Sequence, residues 1–191
     1  MNERRTQLLV EIALSIALAA VLSMFTLWRM PQGGSVSLSM LPLFVLALRR
    51  GVGPGLAAGA IYGFVDLLVN PYVVHWAQLL LDYPVAYLFV GIAGISSRPL
   101  ASALGRRSAA GTSAAIALGV LLGAIGRYAA HVASGVIFFS EFAPAGQPVF
   151  LSSLLYTLSA PLSALAAFAA GLVLVPALAR IVPPQTGRTA P

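Results

Sequence analysis

The sequence predicts an all-α membrane protein, a six-transmembrane-helix bundle with its N- and C-termini in the cytoplasm. Apolar residues make up 59% of the 191 residues, charged residues only 8%, and the mean hydropathy is +0.93. A soluble domain carries roughly 25% charged residues, which cover its surface. Because this chain has so few, lipid has to solvate most of its exterior.

Six apolar segments follow one another along the chain, and about 20 apolar residues are needed to cross a bilayer as a helix. We predict spans at residues 8–27, 38–48, 54–69, 76–95, 112–139 and 149–181. The second is short for a full crossing, which favours a broken or re-entrant segment. The stretch 96–111 is rich in small residues and is expected to be a loop. We expect residues 1–182 to form a single membrane domain and residues 183–191 a disordered cytoplasmic tail.

The arginines give the orientation. With six spans, the two termini and the loops after the second and fourth spans share one side of the membrane. That side holds nine of the 11 basic residues: Arg4, Arg5, Arg49, Arg50, Arg98, Arg106, Arg107, Arg180 and Arg188. The opposite side has only Arg29 and Arg127. The excess of positive charge predicts that both termini are cytoplasmic.

Composition argues against several functional classes. The arginines are scattered at predicted helix ends and form no basic stripe interleaved with aromatic residues, so nucleic-acid binding is not expected. The chain has no cysteine and only two histidines. It shows no close pair of carboxylates and no cluster of metal ligands, so we predict no catalytic residues, no metal site and no cofactor.

The remaining polar residues gather towards the outer side, and ionisable groups within a span usually have a function. Arg127 and His131 are four residues apart and share one helical face. With Asp82, Tyr83 and aromatic neighbours they would line a cavity for a small, flat, polar and charged solute. Asp82 could neutralise a ligand cation, and aromatic faces could stack on its ring. The alternative is a buried structural ion pair between Asp82 and Arg127.

Some residues keep two interpretations. Tyr72, His75 and Trp76 could belong to the site or form an interfacial aromatic belt. Asp66 lies deep in the third span, where it could face the cavity or a neighbouring helix. In the first span, Ala13 and Ala17 form a small-xxx-small face, which permits close approach of another helix and is also common in ordinary bundle packing.

Several motifs in their order and spacing resemble the thiamine-specific S components of energy-coupling factor (ECF) transporters, the ThiT/YuaJ family. They are Pro31-Gln32-Gly33-Gly34-Ser35, Arg49-Arg50-Gly51, Leu81-Asp82-Tyr83-Pro84, Arg127-Tyr128-x-x-His131 with Gly135 to Phe139, and Ala143-Pro144-x-Gly146. Together they cover most of the chain from the first loop to the sixth span.

This resemblance implies a non-enzymatic, multi-pass subunit of the bacterial cell membrane that captures thiamine or a thiamine precursor for an ABC importer of the ECF type. The substrate-binding positions it implies are Gln32, Ser35, Tyr72, His75, Trp76, Asp82, Tyr83, Arg127, His131, Phe139, Tyr156 and Thr157. It also implies that Ala13 and Ala17 dock against a transmembrane coupling subunit, which carries two cytoplasmic ATPases. The chain itself has no G-x-x-x-x-G-K-[ST] motif, so ATP use would come from those partners.

Four positions depart from the family pattern. The family is expected to carry Glu at position 82 and Trp at position 139, where this chain has Asp82 and Phe139. On the sixth helix Ser152 and Thr157 stand in place of Tyr and Asn. Asp82 keeps the charge with a shorter reach, and Phe139 keeps a stacking face without the indole donor. The alternatives are an S component for another small vitamin, a non-transport membrane protein or a membrane enzyme.

Overall fold

The computed structural model describes residues 3–30 and 34–181, and most of them are helical. The elements in chain order are α1 (Glu3–Met24), β1 (Thr26–Arg29), β2 (Ser35–Ser37), α2 (Met40–Arg50), α3 (Val52–Val69), α4 (Trp76–Gly105), α5 (Ala109–Phe138) and α6 (Val149–Ile181). In this part of the chain, five helices, all except α2, are long and apolar enough to cross a membrane. The fold is that of a helical membrane protein.

Helix α2 forms the centre of the bundle. It has only 11 residues, and Leu43, Phe44, Ala47 and Leu48 are at most 1% exposed. At 1.5 Å per residue it is about 16 Å long, well short of the hydrocarbon core. Helices α1, α3, α4 and α6 pack around it. The predicted second span is therefore one short continuous helix that is enclosed by its neighbours.

Helices α3 and α4 approach each other closely through glycines. Gly55, Gly59 and Gly63 repeat every four residues on one face of α3. A Cβ atom on Gly59 would lie 2.2 Å from the carbonyl oxygen of Tyr87, and one on Gly63 would lie 2.5 Å from that of Tyr83. No side chain fits at such distances, so the glycines permit backbone contact between the helices. This contact fixes the start of α4 beside the end of α3.

Two long helices are interrupted near the same end of the bundle. Helix α4 contains a π-helical turn, Leu81–Val85, which includes Pro84. Proline lacks a backbone donor, so the regular hydrogen-bond ladder is broken there. Helix α6 is interrupted after Tyr156 and resumes at Ser159. Such irregular turns are frequent at functional sites because they redirect side chains.

A short antiparallel hairpin lies between α1 and α2. Strands β1 and β2 pair Trp28 with Val36 and Arg29 with Ser35. Gly34 has a φ of +81°, and a Cβ atom there would lie 2.7 Å from the Ser159 hydroxyl, so the hairpin packs directly on the second half of α6. The backbone nitrogen of Ser37 donates to the Ser163 hydroxyl at 3.2 Å.

Two predicted boundaries are wrong. The first helix ends at Met24 and not at Leu27, because Thr26–Arg29 pairs as a strand with Ser35–Ser37. The expected loop 96–111 is largely helical, since α4 continues to Gly105 and α5 begins at Ala109. Small apolar residues fit a helix as well as a loop, so composition did not distinguish them. The predicted tail, 183–191, lies outside the described residues.

An ion pair joins α1 to the end of α2. The Nε atom of Arg50 donates to Oε2 of Glu11 at 2.6 Å, and its Nη2 atom donates to Oε1. Two parallel hydrogen bonds of this kind fix both side chains. Glu11 thus has a specific partner near the arginine-rich end of the bundle. The hairpin and the interrupted turns of α4 and α6 lie at the opposite end.

Candidate ligand-binding site

Two adjoining cavities open at the end of the bundle that bears the hairpin. Their volumes are about 640 Å³ and about 470 Å³. Five residues line both cavities: Tyr72, Asp82, His131, Tyr156 and Thr157. The two spaces therefore meet at these side chains and form one continuous cleft.

The Asp82 carboxylate lies at this junction and accepts three hydrogen bonds. Its Oδ2 atom accepts from the Gln78 amide at 2.7 Å and from the Ser134 hydroxyl at 2.9 Å. Its Oδ1 atom lies 3.1 Å from Nδ1 of His131. Gln78 and Ser134 are at most 1% exposed, so these two donors are fixed by packing. A carboxylate held in this way keeps one orientation towards the cleft.

His131 links Asp82 to Arg127. The Nε atom of Arg127 donates to Nε2 of His131 at 3.3 Å. Because a guanidinium group cannot accept a hydrogen bond, Nε2 must be the acceptor and the proton of the neutral ring lies on Nδ1. That proton is donated to Asp82. The guanidinium of Arg127 also lies 4.0 Å from the centre of the Tyr87 ring, a cation–π contact.

The direct Asp82–Arg127 ion pair, which the sequence left as an alternative, is not formed. Among residues 3–30 and 34–181, Asp82 forms no salt bridge with an arginine, and its carboxylate accepts a hydrogen bond from the neutral ring of His131 at 3.1 Å. In this part of the chain, the guanidinium of Arg127 and the carboxylate of Asp82 are connected only through hydrogen bonds to the imidazole of His131. The three side chains form one connected network along the wall of the cleft.

Tyr83 and Gln78 hold the loop between α3 and α4. The hydroxyl of Tyr83 donates to the carbonyl of Asn70 at 2.7 Å and accepts from the backbone nitrogen of Tyr72 at 2.8 Å. The Gln78 side chain accepts from the nitrogen of Val74 and donates to the carbonyl of Tyr72, both at 3.1 Å. The ring of Tyr83 lines the smaller cavity, while its hydroxyl positions Tyr72.

Replacing Tyr83 with phenylalanine tests this positioning role. The change removes one donor and one acceptor from loop backbone groups, which typically costs about 1–3 kcal/mol when the partners stay buried. We expect the loop to loosen and the affinity for the bound ligand to fall about tenfold, chiefly through faster dissociation. Stopped-flow binding to the purified protein measures this. Unchanged association and dissociation rates would show that the hydroxyl does not position the loop. Tyr128→Phe is the control, since that hydroxyl bonds to Leu154 instead.

The larger cavity is mainly aromatic and apolar. Tyr72 and Phe139 stack with ring centres 5.9 Å apart, and Phe142 lies 6.1 Å from Phe139. Such faces can stack on a flat ring. The Thr157 hydroxyl donates to the carbonyl of Ser153 at 2.7 Å. The Ser152 hydroxyl is buried and has no hydrogen-bond partner within the described residues, which leaves it able to bond to a ligand.

The smaller cavity is more polar. Serine hydroxyls from α1, the hairpin and α6 contribute to its wall together with one carboxylate on α3. Its polar lining includes Ser23, Ser35, Ser37, Ser39, Asp66, Asn70, Arg127, Ser159 and Ser163. A ligand that spans both cavities would thus meet aromatic faces at one end and hydroxyl and charged groups at the other.

Two of the site residues predicted from sequence, His75 and Trp76, lie outside this cleft. His75 accepts from the nitrogen of Ala77 at 3.1 Å, where it caps the start of α4, and stacks on Phe138. Trp76 is 71% exposed. Neither residue lines the two cavities, and their exposure fits the interfacial aromatic belt. Gln32 lies outside the described residues.

Three residues that contact this network, Gln78, Ser134 and Tyr87, were not predicted as site residues from the sequence. Gln78 lies four residues before Asp82, a spacing that places both on one helical face and could have revealed the contact. Ser134 and Tyr87 gave no such signal, because small hydroxyl residues and tyrosines occur throughout the chain. Only the packing of α4 against α5 brings them to Asp82 and Arg127.

Comparison with known proteins decides the family. The model of the thiamine transporter protein family Thia_YuaJ matches residues 9–183. The chain belongs to this thiamine transporter family. The resemblance inferred from the sequence motifs is thereby confirmed, as is the assignment to a non-enzymatic membrane transport family.

Relatives of the thiamine transporter family agree in sequence and in structure. The thiamine transporter ThiT of Bacillus subtilis (strain 168) is 40% identical over 151 residues, which cover 78% of this chain and 79% of the relative. ThiT of Lacticaseibacillus paracasei is 31% identical over 120 residues, covering 61% and 60% of the two chains. The solved structure of ThiT from Listeria monocytogenes superposes with a TM-score of 0.81 at 26% identity, over 95% of this chain and 97% of that one.

Proposed function

We propose that this chain is the substrate-binding subunit of a vitamin importer and that it captures thiamine or a thiamine precursor from the outer side of the cell membrane. The observation that carries the proposal is the charge of the cleft. Its charged lining residues are Asp66, Asp82 and Arg127, and His131 is neutral in the network, so the sum is one negative charge. Thiamine carries one permanent positive charge on its thiazolium ring, and the cleft would neutralise it.

The shape and chemistry of the cleft suit the rest of the molecule. The aminopyrimidine of thiamine is flat and carries hydrogen-bond donors and acceptors, which match the aromatic faces of Tyr72 and Phe139 and the polar groups at Asp82 and His131. The residues we propose for the site are Ser35, Tyr72, Asp82, Tyr83, Arg127, His131, Phe139, Ser152, Tyr156 and Thr157. Gln32 stays part of the proposal from the sequence motif, and His75 and Trp76 are left out.

The membrane topology we propose has six crossings and cytoplasmic termini. Eight arginines of the described chain lie near helix ends or in the connecting turn on the side away from the cleft: Arg4, Arg5, Arg49, Arg50, Arg98, Arg106, Arg107 and Arg180. Arg29 and Arg127 lie on the side of the cleft. The positive-inside tendency then orients the cleft outwards, as capture of an external vitamin requires.

For transport, we propose that the chain works with a transmembrane coupling subunit and two cytoplasmic ATPases of an ECF module. Helix α1 supports this, because Ala19 is its only buried residue. Ala13 and Ala17 are exposed on its surface, beside exposed leucines such as Leu14 and Leu18. A small-residue face that the bundle does not use is available to a partner helix.

The proposal is tested by the thermal stability of the purified protein in detergent with a panel of vitamins. A ligand that binds only the folded state stabilises that state by about 2.7 kcal/mol when the free ligand concentration is 100 times the dissociation constant. We expect the midpoint temperature of thermal unfolding to rise with thiamine or its precursors and not with riboflavin, biotin or folate. A rise with one of those instead would assign another vitamin. No rise with any of these vitamins would contradict the proposed capture of thiamine.

A further inference from the structure

Asp66 is the carboxylate of the cleft whose role the sequence left open. It lies on α3, lines the smaller cavity and is half-buried. Its Oδ1 atom accepts from the Asn70 amide at 3.0 Å and, more weakly, from the Tyr62 hydroxyl at 3.4 Å. Both donors are neutral. Within the described residues, Asp66 has no salt bridge to an arginine.

Asp82 differs from Asp66 in this respect. It accepts three hydrogen bonds, and one of them comes from an imidazole that itself accepts from Arg127. Asp82 is therefore linked to Arg127 by hydrogen bonds through the neutral imidazole of His131. Asp66 has no such link within the described residues, and its hydrogen-bond donors are the neutral groups of Asn70 and Tyr62.

The packing of α3 on α4 keeps Asp66 in this position. Asp66 follows Gly63 by three residues and thus lies near the face that contacts the start of α4. The Tyr62 ring meets the Tyr87 ring edge to face at 4.6 Å, and Arg127 lies on Tyr87. Asp66 and Arg127 consequently both adjoin the same pair of tyrosines, and they form no salt bridge with each other in the described part of the chain.

We infer that Asp66 supplies the unpaired negative charge by which the cleft selects a cationic ligand over a neutral one of the same shape. This inference rests on the proposed function and deepens it. Asp82 then serves mainly to orient the ligand through its fixed network, and Asp66 provides the counter-charge from the polar end of the cleft. Such an interaction acts over several ångströms in a partly desolvated cavity and needs no direct contact.

The test compares thiamine with an uncharged isostere in which a neutral five-membered ring replaces the thiazolium. Two unit charges about 8 Å apart at an effective dielectric of about 20 attract strongly enough to change affinity by about tenfold or more. We expect Asp66→Asn to lower the affinity for thiamine about tenfold and to leave the affinity for the isostere within about twofold. Titration calorimetry of the purified protein measures both.

Two further variants serve as controls. One keeps the negative charge at position 66, and the other removes a negative charge outside the cleft. Asp66→Glu keeps the charge and should retain most of the preference for thiamine. Glu141→Gln removes an exposed acid that lines neither cavity and should change nothing. Equal losses for thiamine and the isostere in Asp66→Asn, or an equal effect of Glu141→Gln, would overturn the inference. If the wild-type protein binds neither compound, the proposed function itself fails, which is a distinct outcome.

Discussion

Replacing His131 with alanine should lower the affinity for thiamine about 100-fold while the helical bundle stays folded. The substitution removes the acceptor of the Arg127 Nε and the donor to Asp82 Oδ1 in one step. Removing one partner from a buried network of charged groups typically costs about 3–5 kcal/mol of interaction free energy. Because water can enter this open cleft, we take a value of about 3 kcal/mol, which corresponds to about 100-fold in the dissociation constant.

Calorimetric titration measures this loss, and the thermal midpoint without ligand reports whether the variant is folded. The chain offers a matched control, since it has only two histidines. His75 caps α4 outside both cavities, and His75→Ala should leave the affinity within about threefold. A His131→Ala protein that binds thiamine as tightly as the wild type would contradict the role of the network. An equal loss in His75→Ala would show that the effect is not specific to the cleft.

Replacing Ala17 with leucine should reduce thiamine uptake by cells at least tenfold while leaving thiamine binding unchanged. The added side chain would project from an exposed face of α1 that the bundle itself does not use. A partner helix that approaches closely through alanines cannot do so past a leucine. The same result is expected for Ala13→Leu. Uptake of labelled thiamine by cells with the complete transport module, together with binding to the purified variant, gives the two readouts.

Ala169→Leu is the matched control for these variants, because Ala169 is an exposed alanine on α6. It should leave both uptake and binding unchanged. Normal uptake by the Ala13→Leu and Ala17→Leu proteins would remove the proposed docking face. A parallel loss of binding would show that the substitutions disturb the subunit itself.

Local spacing allowed the sequence to indicate part of the site. Arg127 and His131 share a face because residues four apart do so on any helix, and the structure joins them by a hydrogen bond. The contact of Ser134 with Asp82 joins residues 52 positions apart, and it depends on how α5 packs on α4. Nothing in the local sequence specifies that packing.

In the fold, too, features set by local sequence could be predicted, and features set by packing between helices could not. Hydropathy predicted the long helices because a bilayer imposes their length and composition. It could not predict the enclosed position of α2, which depends on the helices around it, or the continuation of α4 through 96–105, where small residues suit a helix and a loop equally. The hairpin that ends α1 early was also missed, since residues 25–27 are apolar enough to continue a span, and Thr26–Arg29 becomes a strand only by pairing with Ser35–Ser37.

Direct titration of thiamine into the purified protein tests the central claim. With the protein folded in detergent, as judged by its helical circular dichroism and a cooperative thermal transition, we expect one binding site per chain and a dissociation constant below about 1 μM, which corresponds to a binding free energy of about −8 kcal/mol or better. Absence of binding at a free thiamine concentration of about 100 μM under the same conditions would contradict the assignment of this cleft as a thiamine site.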